Sequence, residues 1–231
     1  MLDLVIEGRR RDLGGGLEVG RVLPFARRRM VGPFIFLDHM GPADFRSGEG
    51  IDVRPHPHAD MEIVTYVREG AITHQDSMGN RGRTEAGDVQ VMSAGSGVRH
   101  SEYNLEDATT RIFQIWIEPT GHGGRPSWGA RPFPKADRSG RFVTLASGIA
   151  GDEGALPIRA DARVMGATVK AGERITLPLD PARHAYLVPA TGAVAVGGVR
   201  IDARDGAAIT DVERIDIVGL EDAEVVLVDA A

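Results

Sequence analysis

Residues 54–70 read Arg54-Pro55-His56-Pro57-His58-Ala59-Asp60-Met61-Glu62-Ile63-Val64-Thr65-Tyr66-Val67-Arg68-Glu69-Gly70. Two features of this stretch decide how the rest is read. The run from Glu62 to Val67 is β-branched and aromatic, has strand length, and ends at a Glu-Gly turn signal. Ahead of it, two histidines stand at i and i+2, so on a strand they project to one face, about 6.7 Å apart along the backbone. Pro57 between them places that strand at a sheet edge or a strand start, because proline cannot donate to an interior ladder.

The same pattern of short runs and turns extends outward. Asp88-Val89-Gln90-Val91-Met92 and Arg111-Ile112-Phe113-Gln114-Ile115-Trp116-Ile117 are further strand-length runs. Glu69-Gly70 and Met78-Gly79-Asn80 read as hairpin turns. Residues 119–140 are rich in Gly and Pro and read as a linker packed in part by Trp128 and Phe133. Strand-like runs then resume at Phe142–Leu145, Arg163–Val169, Ala185–Val188, Ala193–Val196 and Val225–Val228. Helix is scarce, with one turn expected over Pro181–His184. Regular short strands without intervening helical periodicity predict an all-β protein of sandwiches or barrels. We expect two domains, 1–130 and 131–231, although the first thirty residues can pack on either.

Composition narrows the chemistry. The 231 residues include thirty glycines and thirteen prolines, in keeping with a turn-rich β fold. The net charge of −6 opposes direct nucleic-acid binding, which needs a basic face. Arg27-Arg28-Arg29 is too short to reverse that sign and reads as a solvated turn. With no cysteine, disulfides, thiolate catalysis and Cys-based zinc sites are excluded, and any metal must be held by His, Asp and Glu. No run approaches the ~18 apolar residues of a membrane helix, and no secretory leader is visible, so a cytoplasmic protein is expected.

A second pair, His100 and Glu102, repeats the i, i+2 spacing. Two such pairs on neighbouring strands would converge three imidazoles and one carboxylate, a donor set suited to a divalent first-row metal. Two positions of a six-coordinate ion would stay open for a substrate. Of the seven histidines, His74 reads as a polar residue on a hairpin or a partner behind the ligands, His39 as a turn cap, and His122 as exposed in the linker. None of these three has a partner at ligand spacing.

These motifs resemble the cupins. Gly50, His56, His58, Glu62 and Gly70 follow the first cupin motif. Gly87, Gly95 or Gly97, His100 and Asn104 follow the second, with its proline replaced and the Gly87-to-His100 interval about two residues long. The likeness to the pirin family within the cupins is tighter: Pro33–Asp38, Arg54–His58, Asp76–Gly82, Gly87–Gln90 and Gly97–Glu102 all resemble it. Many pirins carry a basic residue and Gly-Phe-Glu after the second histidine, where this chain has Ala59-Asp60-Met61-Glu62.

The resemblance implies two tandem jelly-roll barrels, a bicupin whose second barrel is degenerate and lacks the metal. It implies one divalent metal held by His56, His58, His100 and Glu102. Fe(II) is the first expectation, and Cu, Ni, Mn and Zn are compatible. Glu62 is then a polar neighbour or salt-bridge partner, and Asp60 lies beside the pocket or faces outward. The implied activity is quercetin 2,3-dioxygenase chemistry on a flavonol-like aromatic substrate and O2. Glu102 would deprotonate the flavonol hydroxyl, the heterocycle would open and carbon monoxide would leave. The alternative the family implies is a metal-dependent redox sensor that binds a protein partner. A metal that only supports the barrel is a third reading. A monomer is expected.

Overall fold

The computed structural model describes residues 55–231 and Pro33 in full, and the strand backbone alone at 2–6, 9–12, 18–21, 34–40 and 53–54. Arg27-Arg28-Arg29 and Gly50 lie outside the described residues. His39 is described as strand backbone, not as a turn.

The described residues form two β-barrels, each of a seven-stranded and a four-stranded sheet. In the first, the large sheet runs β12 (Ser127–Arg131), β9 (Val89–Ser93), β6 (Glu62–Glu69), β11 (Arg111–Ile117), β4 (Phe34–Met40), β3 (Glu18–Arg21) and β2 (Arg9–Asp12). The small sheet runs β5 (Val53–His58), β10 (Val98–Tyr103), β7 (Ala71–Asp76) and β8 (Arg81–Glu85). In the second barrel the large sheet is β1 (Leu2–Ile6), β20 (Gly206–Ile209), β17 (His184–Thr191), β22 (Ala223–Ala230), β15 (Ala162–Val169), β13 (Val143–Ser147) and β14 (Leu156–Pro157). Its small sheet is β16 (Arg174–Pro178), β21 (Arg214–Gly219), β18 (Ala193–Val196) and β19 (Val199–Asp202). β1 therefore adds an edge strand to the barrel built by the far end of the chain.

Three local expectations are corrected. Glu69-Gly70 is not a hairpin: β6 and β7 belong to different sheets, so the chain turns a corner there. Gly70 is required at that corner, with φ +71° and a Cβ that would sit 2.4 Å from the Thr109 carbonyl oxygen. The linker is not loop throughout. Trp128 pairs with Met92 in β12, and a short 3-10 helix follows at Lys135–Arg138. The bordering prolines and Gly129 mask this strand in the sequence. Pro181 and Ala182 form a turn capped by Asp180, whose carboxylate accepts the Ala182 amide at 2.9 Å, and His184 already begins β17.

The two large sheets pack against each other, and side-chain alternation shows how. From β11, Phe113, Ile115 and Ile117 face the seam between barrels, joined by Val64 and Tyr66 of β6. Val226 and Val228 of β22 meet them, while Val225 and Leu227 turn into the second barrel. Val225–Val228 in the middle of β22 thus reads as an apolar run without alternation because both faces are covered there. Each such side chain removed from water contributes roughly 1.5–3 kcal/mol. Arg138 crosses the seam fully buried. It donates to the Gly87 carbonyl at 3.0 Å and lies 3.5 Å from Glu224, which also accepts from Lys135 at 2.8 Å.

The alternation also separates the two interiors. The second barrel fills its centre with Ile175, Leu187, Val194, Ile201, Ile215, Ile217 and their neighbours. The first turns Gln90 and Gln114 inward from otherwise apolar strands, and buries His74, His100 and Glu102 beside them.

Candidate metal centre

β5 is the edge strand of its sheet, which accommodates Pro57. β10 lies beside it with His100 opposite His56 and Val98 opposite His58. A β-bulge between His100 and Glu102 then sets Glu102 opposite Val53. β7 runs on the other side of β10, with Glu102 opposite His74 and His100 opposite Asp76.

This register brings His56, His58 and His100 together, with ligand-capable nitrogens within 4.8 Å of one another. The Nε2 atoms of His56 and His100 are 3.0 Å apart, and the three ring centroids are 4.4–5.0 Å apart. Glu102 does not join that trio within the same limit. It falls into an overlapping group with His74 and His100. His100 is thus common to both, and His74 does have partners at ligand spacing, contrary to the sequence reading.

The electrostatics favour a cation. Burial, and then the neighbouring His56, hold the His58 imidazole down to about 4. Burial, followed by the field of His56 and His58, holds His100 down to about 3. Crowded imidazoles that refuse protons present lone pairs to one point, so the residues fit a divalent transition ion.

Glu102 is fully enclosed. Burial pushes its carboxyl up to about 7, against two amide donors that favour the ionised form. Gln90 Nε2 donates to one oxygen at 2.7 Å and Gln114 Nε2 to the other at 2.5 Å. Thr84 donates to the Gln90 carbonyl at 3.1 Å, and the Trp116 indole to that of Gln114 at 3.3 Å. Neither glutamine was singled out from the sequence. The available signal was a lone amide side chain in an apolar strand at an inward position.

Glu62 stands apart from both groups of donors. It is buried at the start of β6, accepts the Ser93 hydroxyl at 2.6 Å, and is raised by burial. Asp60, in left-handed backbone at φ 49°, clasps the linker by accepting the Gly123 amide at 2.5 Å and lies 3.4 Å from the exposed His122. Asn104 closes its own loop, donating to the Ala108 carbonyl and accepting the Glu106 amide. In the second barrel no cluster of metal-donor side chains occurs among the described residues.

A pocket of about 500 Å³ opens against His58. Pro57, Ala59 and Val98 give it apolar walls, and Ser77 and Arg99 its polar edge.

Comparison with known proteins agrees with this architecture. Residues 16–117 match the family model described as Pirin, and residues 144–230 the model described as Quercetinase C-terminal cupin domain. A pirin-like protein of Caulobacter vibrioides is 71% identical over 177 residues, covering 77% of this chain and 76% of that one. A protein of Escherichia coli K12 named quercetin 2,3-dioxygenase is 37% identical over 185 residues, covering 79% and 77%. The crystal structure of an E. coli bacterial pirin in complex with nickel(II) superposes with a TM-score of 0.85 at 30% identity, over 98% of each chain.

Proposed function

We propose, from the premise that this chain belongs to the pirin family of two-domain cupins, that it is a metal-dependent dioxygenase opening the heterocycle of a flavonol-type substrate with O2 and releasing carbon monoxide. The observation that carries this reading is a cluster of three imidazoles, with His58 and His100 held unprotonated, beside a buried carboxyl raised to about 7, and with His58 at the wall of an open pocket. His56, His58 and His100 would hold the ion, with Glu102 reaching it from the His100 side. Fe(II) is the ion we favour, and the nickel complex of the E. coli pirin marks Ni(II) as a second candidate. When bound, the ion supplies a Lewis acid for the substrate oxygens and a path for electrons to O2.

The chain's own residues do the rest. The walls formed by Pro57, Ala59 and Val98 suit the face of a planar aromatic ring, while Ser77 and Arg99 meet its polar rim. Glu102 takes the proton of the substrate hydroxyl. A carboxyl near 7 is partly ionised at neutral pH and is a stronger base than an exposed one. Gln90 and Gln114 keep it aimed while it changes charge.

The test is aerobic incubation of metal-loaded protein with quercetin. Loss of the flavonol's visible absorbance with release of carbon monoxide supports the reading, and both should vanish in His56→Ala and Glu102→Ala. Stoichiometric metal with neither signal rejects it. Oxidation-dependent capture of a protein partner without turnover would put the sensor in its place.

A further inference from the structure

We infer that His74 is a positioning residue, which fixes the tautomer of His100 and so aims the His100 Nε2 lone pair at the ion. The inference rests on His56, His58 and His100 holding that ion.

Both ring nitrogens of His74 are engaged. Its Nε2 lies 3.2 Å from a carboxylate oxygen of Asp76, and its Nδ1 lies 3.5 Å from Nδ1 of His100. The ring is buried, and Trp128 of β12 stacks on it with centroids 4.9 Å apart and planes 7° from parallel. Trp128 can lie there because residue 82 is glycine, where a Cβ would sit 2.1 Å from the indole. The ring plane of His74 is therefore set by a residue from the linker.

Donor and acceptor logic propagates from Asp76. Its carboxylate also accepts the Met78 amide at 2.9 Å, the Asn80 amide at 3.0 Å and the Asn80 side chain at 2.9 Å. Every one of these partners donates, so the fourth position expects a donor as well, the Nε2–H of His74. A neutral His74 with its proton on Nε2 offers a lone pair at Nδ1. His100 Nδ1 faces that lone pair and must carry its own proton there. The lone pair of His100 then lies on Nε2, the nitrogen 3.0 Å from His56. The opposite tautomer of His74 would set two N–H groups against each other, or turn His100 Nε2 into a donor that repels a cation. Carboxylate, imidazole, imidazole and ion would thus form one line, and partners behind a metal-bound histidine commonly set its orientation and basicity.

The experiment uses the full chain labelled with 15N-histidine and Zn(II) as a diamagnetic probe. Long-range 1H–15N spectra should show His74 protonated at Nε2 and bare at Nδ1, with His100 protonated at Nδ1 and metal-bound at Nε2. A proton on His74 Nδ1, or Zn(II) on His100 Nδ1, overturns the assignment. Calorimetric titration with Ni(II) gives a second readout. His74→Leu should weaken binding about 10–100-fold, while His74→Gln, which can still accept from His100, should recover most of it. Unchanged affinity in His74→Leu overturns the proposal. Should that variant not fold, the spectra and His74→Gln decide. Failure of the parent chain to bind either ion would sink the metal reading itself, whereas the metal-free spectrum reports the His74 tautomer regardless.

Discussion

Gln114 donates to Glu102 across 2.5 Å and so ties the large sheet of the first barrel to the small one through a single buried carboxylate. The bond opposes the effect of burial. Without it, the Glu102 carboxyl would move further above 7. For Gln114→Leu we expect the basic limb of the pH–activity profile for quercetin to persist and the acidic limb to move upward by about one to two units, one hydrogen bond to a charged group being worth about 1.5–3 kcal/mol. An acidic limb that stays in place would remove Glu102 as the base.

The Glu102 share of the metal-free protein's stability should be lost as pH rises from about 4 to about 7, while the depressed His58 and His100 contribute with the opposite sign, gaining stability as pH rises toward the ordinary imidazole value of about 6.5. Glu102 in the fold holds its proton up to about 7, while an unfolded glutamate releases it near 4.3. Between those values this carboxyl holds its proton in the native state only, so its contribution declines with pH. Glu62 and Glu224 are raised by burial too and contribute with the same sign. Glu102→Gln should remove the Glu102 share, making the slope of melting temperature against pH more positive between about 4 and about 7 and leaving the other shares in place.

The chain has two tryptophans, and both touch histidines of the site. Trp116 meets His58 edge-on at 5.3 Å, and Trp128 stacks on His74. Titrating metal-free protein with Cu(II) or Ni(II) should quench the indole emission to a plateau at one equivalent. His58→Ala should abolish saturation in that range. Emission that ignores the ion would place the metal elsewhere.

Gly82→Ala should cost about 1–3 kcal/mol, the usual range for forcing atoms into a packed interior. The added methyl meets the Trp128 indole. The ring must leave His74, so a red shift in emission should accompany the lower midpoint in urea. A midpoint within 0.3 kcal/mol of the parent, on the order of an ordinary surface change, would show that the indole yields freely.

Arg138→Leu should destabilise by about 3–5 kcal/mol, as for one partner removed from a buried pair. It leaves the Gly87 carbonyl without its donor and Glu224 with Lys135 alone. Burial already pushes Glu224 up to about 7, and losing the guanidinium raises it further. The deficit should therefore be greatest at high pH and shrink as Glu224 protonates. A deficit independent of pH would mean that packing, not charge, supplies the role of Arg138.

Much of this architecture is legible in the chain itself. Arg111–Ile117 and Ala193–Val196 are strands with the bounds their β-branched runs suggest. His-Pro-His sits on an edge strand, as Pro57 requires. What escaped depends on three-dimensional placement. β12 hides between prolines because its stability comes from pairing with β9, not from local propensity. The corner at Gly70 carries the same letters as a hairpin, and only the partner of each strand tells them apart. His74 lacks a neighbour at i+2 or i+3 that chelates with it. It meets His100 only because β7 and β10 are adjacent. Gln90 and Gln114 look incidental until the strand faces are known.

The strand at Leu2–Ile6 pairs with Gly206–Ile209. On the ribosome it is made long before its neighbour. The first barrel can assemble while synthesis proceeds, but this strand must wait for a partner that follows the whole of that barrel in sequence. Closing so long a loop costs entropy that only the finished second barrel repays. Maturation is therefore not strictly vectorial: residues 2–6 are a clasp fastened only once Gly206–Ile209 has been made.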